Sequence, residues 1–379
     1  MKIKIKNTQL AMAMSILLFG LSSVAKAAED EAISVHGYGD VAMRRAVDNN
    51  YTKTHNGTQW DYNYVAVNIT AKVDEKTKIV AQIRKGDEIA QDFAVYLNYN
   101  ATDNLTARAG QIRTPIGLFN EIRDIRFLQL SALTPLVYQD AAGFLPDIFK
   151  GYEAVYHLDM GAHRLTFDAY GGEPAGANAY GNMGPTGTFS GNALAPDYRY
   201  ALVQNIYGGR ITYKAPIGLK LALSLFQNDL LATVSPTPPT SAAIPDRYTR
   251  RMTAVSLDYR KYGYDIKMEY LAMAQFVGTP FENRGRGYYG QMGYTIAEKY
   301  TPYARYDYIL YHDSFRGNPN LEQKVKVLGI NYKLNNNVSL RMENHWNTGY
   351  AILANSPGVE IRPTTLNWNV FVLGINVIF

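Results

Sequence analysis

Charges of both signs crowd a short run, Glu121, Arg123, Asp124 and Arg126, with Arg113 a little upstream. No nucleophile accompanies them, so the chemistry open to them is electrostatic: attracting or repelling ions, or pairing with one another. They sit in Gly110–Lys150, GQIRTPIGLFNEIRDIRFLQLSALTPLVYQDAAGFLPDIFK. From Arg113 onward this segment holds the bases Arg113, Arg123, Arg126 and Lys150 and the acids Glu121, Asp124, Asp140 and Asp147. Two readings stay open. The arginines form a basic rim that steers anionic or zwitterionic solutes, or they pair with Glu121 and Asp124 and pin the segment to a wall. Both can hold at once. Pro115 and Gly117 shape the backbone at its start.

Other chemistries find little support. The six histidines are scattered, and there is no cysteine. A zinc site is therefore not expected. His157 and His163 flank a turn and read as solvated. Asp48, Asn49 and Asn50 lack the spacing of a calcium loop. No glycine-rich phosphate loop follows a strand and opens a helix. No metal, cofactor or catalytic residue is expected, and an enzyme is not the first reading.

The chain of 379 residues begins like a secretory signal peptide. Lys2, Lys4 and Lys6 precede an apolar core from Leu10 to Leu21, and Ala25-Lys26-Ala27 marks a cut ahead of Ala28. Residues 1–27 read as signal and 28–379 as one domain. The signal contains four of the 38 bases and none of the 33 acids, so the exported chain is near neutral. That charge gives no warrant for a nucleic-acid partner. No later stretch reaches the roughly 20 apolar residues of a spanning helix, yet 47% of the residues are hydrophobic and 30 are tyrosine.

Alternation organises the rest. Val65, Val67, Ile69 and Ala71 oppose Asn68, Thr70 and Lys72, and Thr253, Val255, Leu257 and Tyr259 oppose Ser256, Asp258 and Arg260. Sixteen such segments read as strands with one apolar face. A soluble sandwich shows the same pattern, so the connections decide. Short ones, such as Lys261-Tyr262-Gly263 and Asn335-Asn336-Asn337, alternate with long ones, such as Thr114 to Lys150 and Gly171 to Arg199. Only Gly86 to Ala90 is short where a long one is due. Long loops at one end and tight turns at the other predict an all-β transmembrane barrel of about 16 antiparallel strands.

The last strand carries its own mark. Phe371, Leu373, Ile375, Val377 and Phe379 share a face and end on the carboxylate, which must stay at the water boundary. Gly374, Val377 and Phe379 resemble the C-terminal assembly signal of Gram-negative outer-membrane proteins, although the polar residue often found two before the glycine is Val372 here. The order of parts resembles the sixteen-stranded Gram-negative porins. Gly110 to Asp124 is similar to the start of the third loop in the phosphate-selective-porin-like superfamily. That resemblance implies a homotrimer with the loop after the fifth strand folded into the lumen. The balanced charge of this loop departs from the lysine-rich loop of phosphate-selective members.

On this alternation Lys72, Arg84, Arg108, Arg210, Arg260, Lys267, Arg305 and Arg341 face the lumen, with Arg113, Glu121, Arg123, Asp124 and Arg126 at a constriction. Facing acids include Asp92, Asp168, Asp258, Asp265, Glu269, Asp307 and Glu343. Such a chain would sit among outer-membrane lipids and pass small hydrophilic solutes, with a mild preference for anions or organic acids. The alternatives are a barrel lipase or protease, which needs a nucleophile held by a base, and a filled structural or adhesin barrel.

Overall fold

The computed structural model describes residues 32–47, 57–60, 63–86, 92–123, 125–139, 147–175, 180–181, 198–234, 247–275, 277–278, 282–351 and 365–379. The expected export signal, Asp124 and the Gly86 to Ala90 connection past Gly86 lie outside them.

Sixteen strands build the wall: β1 Ile33–Val47, β2 Tyr64–Lys72, β3 Thr77–Gly86, β4 Asp92–Asn100, β5 Leu105–Arg113, β6 Ile148–Met160, β7 His163–Pro174 and β8 Tyr198–Lys214 in the first half. β9 Leu219–Val234, β10 Arg247–Lys261, β11 Tyr264–Gln275, β12 Asn283–Tyr294, β13 Tyr300–Leu310, β14 Glu322–Lys333, β15 Val338–Thr348 and β16 Asn367–Ile378 complete it. Two short pieces, Thr58–Trp60 and Tyr180–Gly181, extend the ladders of β1 and β8. Each strand pairs antiparallel with its neighbour in sequence, and β1 pairs with both β2 and β16. Closure leaves no free edge, which a lipid environment would leave unsatisfied.

The outward positions are greasy. Leu223, Leu225, Val255, Met268 and Met292 are each exposed, while inward neighbours such as Ser224, Ala254 and Glu269 are buried. Several strands run longer than the 9–11 residues or so that cross a bilayer: β8 has 17 residues and β9 has 16. Gly171 to Arg199 was therefore too generous for a loop, since β7 continues to Pro174 and β8 starts at Tyr198. Likewise the loop after β5 stops at Asp147, because Ile148 already pairs with Arg113.

Closure rests on the last residues. Phe379 exchanges both backbone hydrogen bonds with Gly37, at 2.8 and 2.9 Å. Gly374 lies opposite Ala42 and Val377 opposite Gly39. Gly37 has no side chain, and the Phe379 ring occupies the space that a Cβ there would need.

Candidate functional site

The loop between β5 and β6 begins where Thr114 N donates to Asp147 O at 3.0 Å, pinching its base. Three single 3-10 turns follow, at Asn120–Ile122, Arg126–Leu128 and Leu136–Tyr138. Asn120 Nδ2 donates to Thr114 O at 2.8 Å, and Gln129 Nε2 donates to the carbonyls of Ile122 and Arg123 at 2.8 and 2.7 Å. These side chains satisfy carbonyls that no regular element serves, as a buried loop requires. Gly117 adopts a positive φ of 66°, and a Cβ there would stand 2.6 Å from Glu269 Oε2. Only glycine lets the backbone approach this wall.

The loop lies against the inner face of the barrel. Gly117 N donates to Ser224 Oγ at 3.0 Å on β9. Leu118 N and Phe119 N donate to Glu269 Oε1 on β11 at 2.7 and 2.8 Å, and Tyr138 OH donates to its other oxygen. Arg210 on β8 reaches both ways: Nη1 donates to Gly117 O at 2.9 Å and to Glu121 at 3.1 Å, while Nε donates to Asp168 at 2.8 Å. Arg305 on β13 donates to Leu133 O at 2.8 Å, and Arg341 on β15 to Arg126 O at 2.7 Å. Glu343 accepts from Ala132 N and Tyr303 OH, and its other oxygen lies 2.6 Å from His345 Nε2. Between these bonds the loop is apolar. Ile116, Phe119, Leu136 and Val137 pack on Phe226, Met252, Leu271 and Tyr289. Ala132 and Leu133 pack on Val370 and Val372.

Four of the five charges expected at the constriction can be placed; the fifth, Asp124, lies outside the described residues. Arg113 and Arg123 both pair with Asp147, the former at 3.6 Å. Arg126 is buried, donates to Ala132 O at 2.5 Å and lies 5.6 Å from the Tyr64 ring centre. Glu121 pairs with the wall at Arg210 and keeps 40% of its side chain exposed. Desolvation works against its charge, but Arg210 and then Arg108 outweigh it, so its pKa lies below the ordinary carboxylate value. Among the described residues of the loop, Arg123 and Arg126 are thus buried in contacts within it, and Glu121 is a carboxylate that keeps part of its side chain exposed.

The wall bases divide into groups. Arg210, Arg305 and Arg341 hold the loop. Arg108 pairs with Glu153 at 2.9 Å and Asn98 at 3.2 Å, and Arg84 lies 5.8 Å from the Tyr64 ring centre. Arg260 and Lys267 share Asp265, at 3.5 and 3.2 Å. Lys72 is exposed near the short-turn rim, directly opposite Lys78. Sequence reasoning missed Lys78, Lys214 and Lys220, although the same alternation places them inward. It also missed Asp40, 3.5 Å from Arg341. The side chain of Asp92 lies outside the described residues.

No family model and no curated protein matches the chain. Solved structures do. In-vitro folded OmpT, an outer-membrane protein of Vibrio cholerae in its trimer form, is 14% identical with a TM-score of 0.60, covering 92% of this chain and 100% of that one. The anion-selective porin from Comamonas acidovorans is 10% identical, with a TM-score of 0.58 over 92% of this chain and 99% of its own. The outer-membrane channel DcaP of Acinetobacter baumannii is 12% identical, with a TM-score of 0.55 over 92% and 97%.

The chain has the outer-membrane porin fold.

Within this porin barrel three described histidines meet hydroxyl groups. Ser34 Oγ lies 3.0 Å from His36 Nε2, but the pair is exposed and no carboxylate among the described residues orients the ring. His157 meets Thr166 at 3.0 Å and His163 meets Tyr213 at 2.6 Å. Among the described residues no group of three metal-ligating side chains forms.

Proposed function

We propose that the chain is a passive channel in the Gram-negative outer membrane, working as a homotrimer and passing small hydrophilic solutes with a preference for anions. The third loop sets its bore. Its faces at the passage include Glu121 and, from the end of β5, Arg113, while Arg123 and Arg126 belong to the same constriction by holding the loop in place; Asp124, between them in sequence, is assigned to the constriction on sequence alone. Gly374, Val377 and Phe379 are the mark read during assembly.

One observation carries the anion preference. Lys72 faces Lys78 across β2 and β3, and Lys214 faces Lys220 across β8 and β9, all four exposed on the inward side near the short turns. Like charges set directly opposite each other destabilise a ladder. Keeping two such pairs on the lumen side is what a steering field requires. The acids there are engaged: Asp258 bonds Arg260 at 3.1 Å, and Asp265 bonds Lys267. Higher up, the acids Glu269, Asp307 and Glu343 are buried.

The test is the reversal potential of the channel in a salt gradient. Wild type should favour the anion. Lys78→Glu with Lys220→Glu, both at exposed positions that leave the loop contacts alone, should move the potential toward cation preference, most strongly in dilute salt where screening is weak. An unmoved potential would place the selective field elsewhere.

A further inference from the structure

A barrel wall facing acyl chains has no use for a cluster of cations, yet this one carries such a cluster on its outward side. Arg251 on β10 and Arg284 and Arg286 on β12 alternate outward with Thr253, Val255 and Tyr288, close to the long loops. Register tightens the cluster: Ala274 on β11 pairs with Arg251 on one side and Arg284 on the other, and Ala272 pairs with Arg286. Two strand spacings put the flanking arginines roughly 10 Å apart across a small residue, a span two such long side chains close over one anion. Between them runs a groove of about 310 Å³ lined also by Tyr270, Ala272 and Ala274.

The groove points toward lipid. Beneath it lies a row of tyrosines, Tyr270 to Tyr288 with ring centres 6.3 Å apart and Tyr288 to Tyr308 at 4.9 Å. Such a row marks the level of lipid headgroups. Lys324 and Lys326 on β14 continue the basic band and are exposed. Acids are present and accounted for: Glu282 meets Arg284 at 3.2 Å, Asp313 meets Arg286 at 2.5 Å and Glu322 meets Lys324 at 3.1 Å. Among the described residues Arg251 hydrogen-bonds the neutral Gln227 at 2.9 Å and interacts with Glu282 only at longer range, and Arg284 keeps 74% of its side chain exposed. Among the described residues of this patch, the five bases named here meet these three acids.

We propose that this groove binds a phosphate-bearing lipid of the outer leaflet, its phosphate held between Arg251 and Arg284 and an acyl chain laid over Ala272, Ala274 and the edge of Tyr270. Arginine forks suit a phosphate, and the alanine floor has room for a chain but no polar group for a free ion. The site is independent of whether the barrel conducts.

Native mass spectrometry of the full chain in detergent tests this, with phosphatidic acid, a diacylglycerol of the same chains, and inorganic phosphate as probes. Phosphatidic acid should bind where diacylglycerol does not. Arg251→Gln with Arg284→Gln should weaken it about tenfold or more, the loss of two charged hydrogen-bond donors. Arg164→Gln, at the short-turn end, should leave it unchanged. Equal binding by the double variant, equal binding of diacylglycerol, or displacement by inorganic phosphate at matched concentration would overturn the proposal. So would a change of oligomeric state in the double variant, which would make this face a contact between copies.

Discussion

Arg210→Ala lowers the stability of the folded barrel by about 3–5 kcal/mol, the usual result of removing one partner from a buried ion pair. Arg210 and Asp168 are both buried. Without the guanidinium, Asp168 loses its bond at 2.8 Å, Glu121 loses both of its bonds at 3.1 Å, and Gly117 O loses its donor. A stranded carboxylate between β7 and β8 weakens the wall, and a freed Glu121 loosens the loop. The heat needed to unfold the detergent-solubilised barrel on a gel should drop clearly, and its single-channel current should become noisy. Arg210→Lys keeps the charge but not the fork, so it should fall between wild type and alanine.

Glu269→Leu acts from the other side of the loop and leaves the wall charges nearly as they were. Leu118 N, Phe119 N and Tyr138 OH all give their protons to this one carboxylate. Replacing it by an apolar side chain of similar size strands three buried donors, at roughly 1–3 kcal/mol each. The loop should leave its seat before the barrel unfolds, because the ladders of β11 with β10 and β12 are backbone pairings that a side-chain replacement at Glu269 leaves in place. The expected result is a larger, more variable conductance from a barrel that still runs as folded. A lower thermal midpoint at unchanged conductance would mean that Glu269 supports the wall alone.

The barrel was legible because period-two alternation and unequal connections are local signals. Val255 outward and Ser256 inward follow from parity once a strand is recognised. Pairing between residues far apart in the chain is not local, so Asp147, at the far end of the same loop, is not among the partners that the sequence suggests for Arg113 and Arg123. Glu121 instead found Arg210, on a strand far along the chain. Alternation also misleads where the loop covers the wall. Leu271, Met273, Val370 and Val372 are apolar at inward positions, because there the inner face meets the loop and not water. That same contact explains Val372 as the residue two before Gly374: a polar side chain would be buried against Ala132 and Leu133. Runs apolar on both faces, such as those in β9, β11 and β16, were the available clue to how far the loop reaches.

The account stands on an open passage narrowed by the third loop, and planar-bilayer recording addresses it directly. Wild type should give steady ohmic steps, and a chain in which residues 118–138 are replaced by a short glycine-serine linker should give steps several times larger. A silent wild type, or steps of the same size with and without the loop, would contradict it.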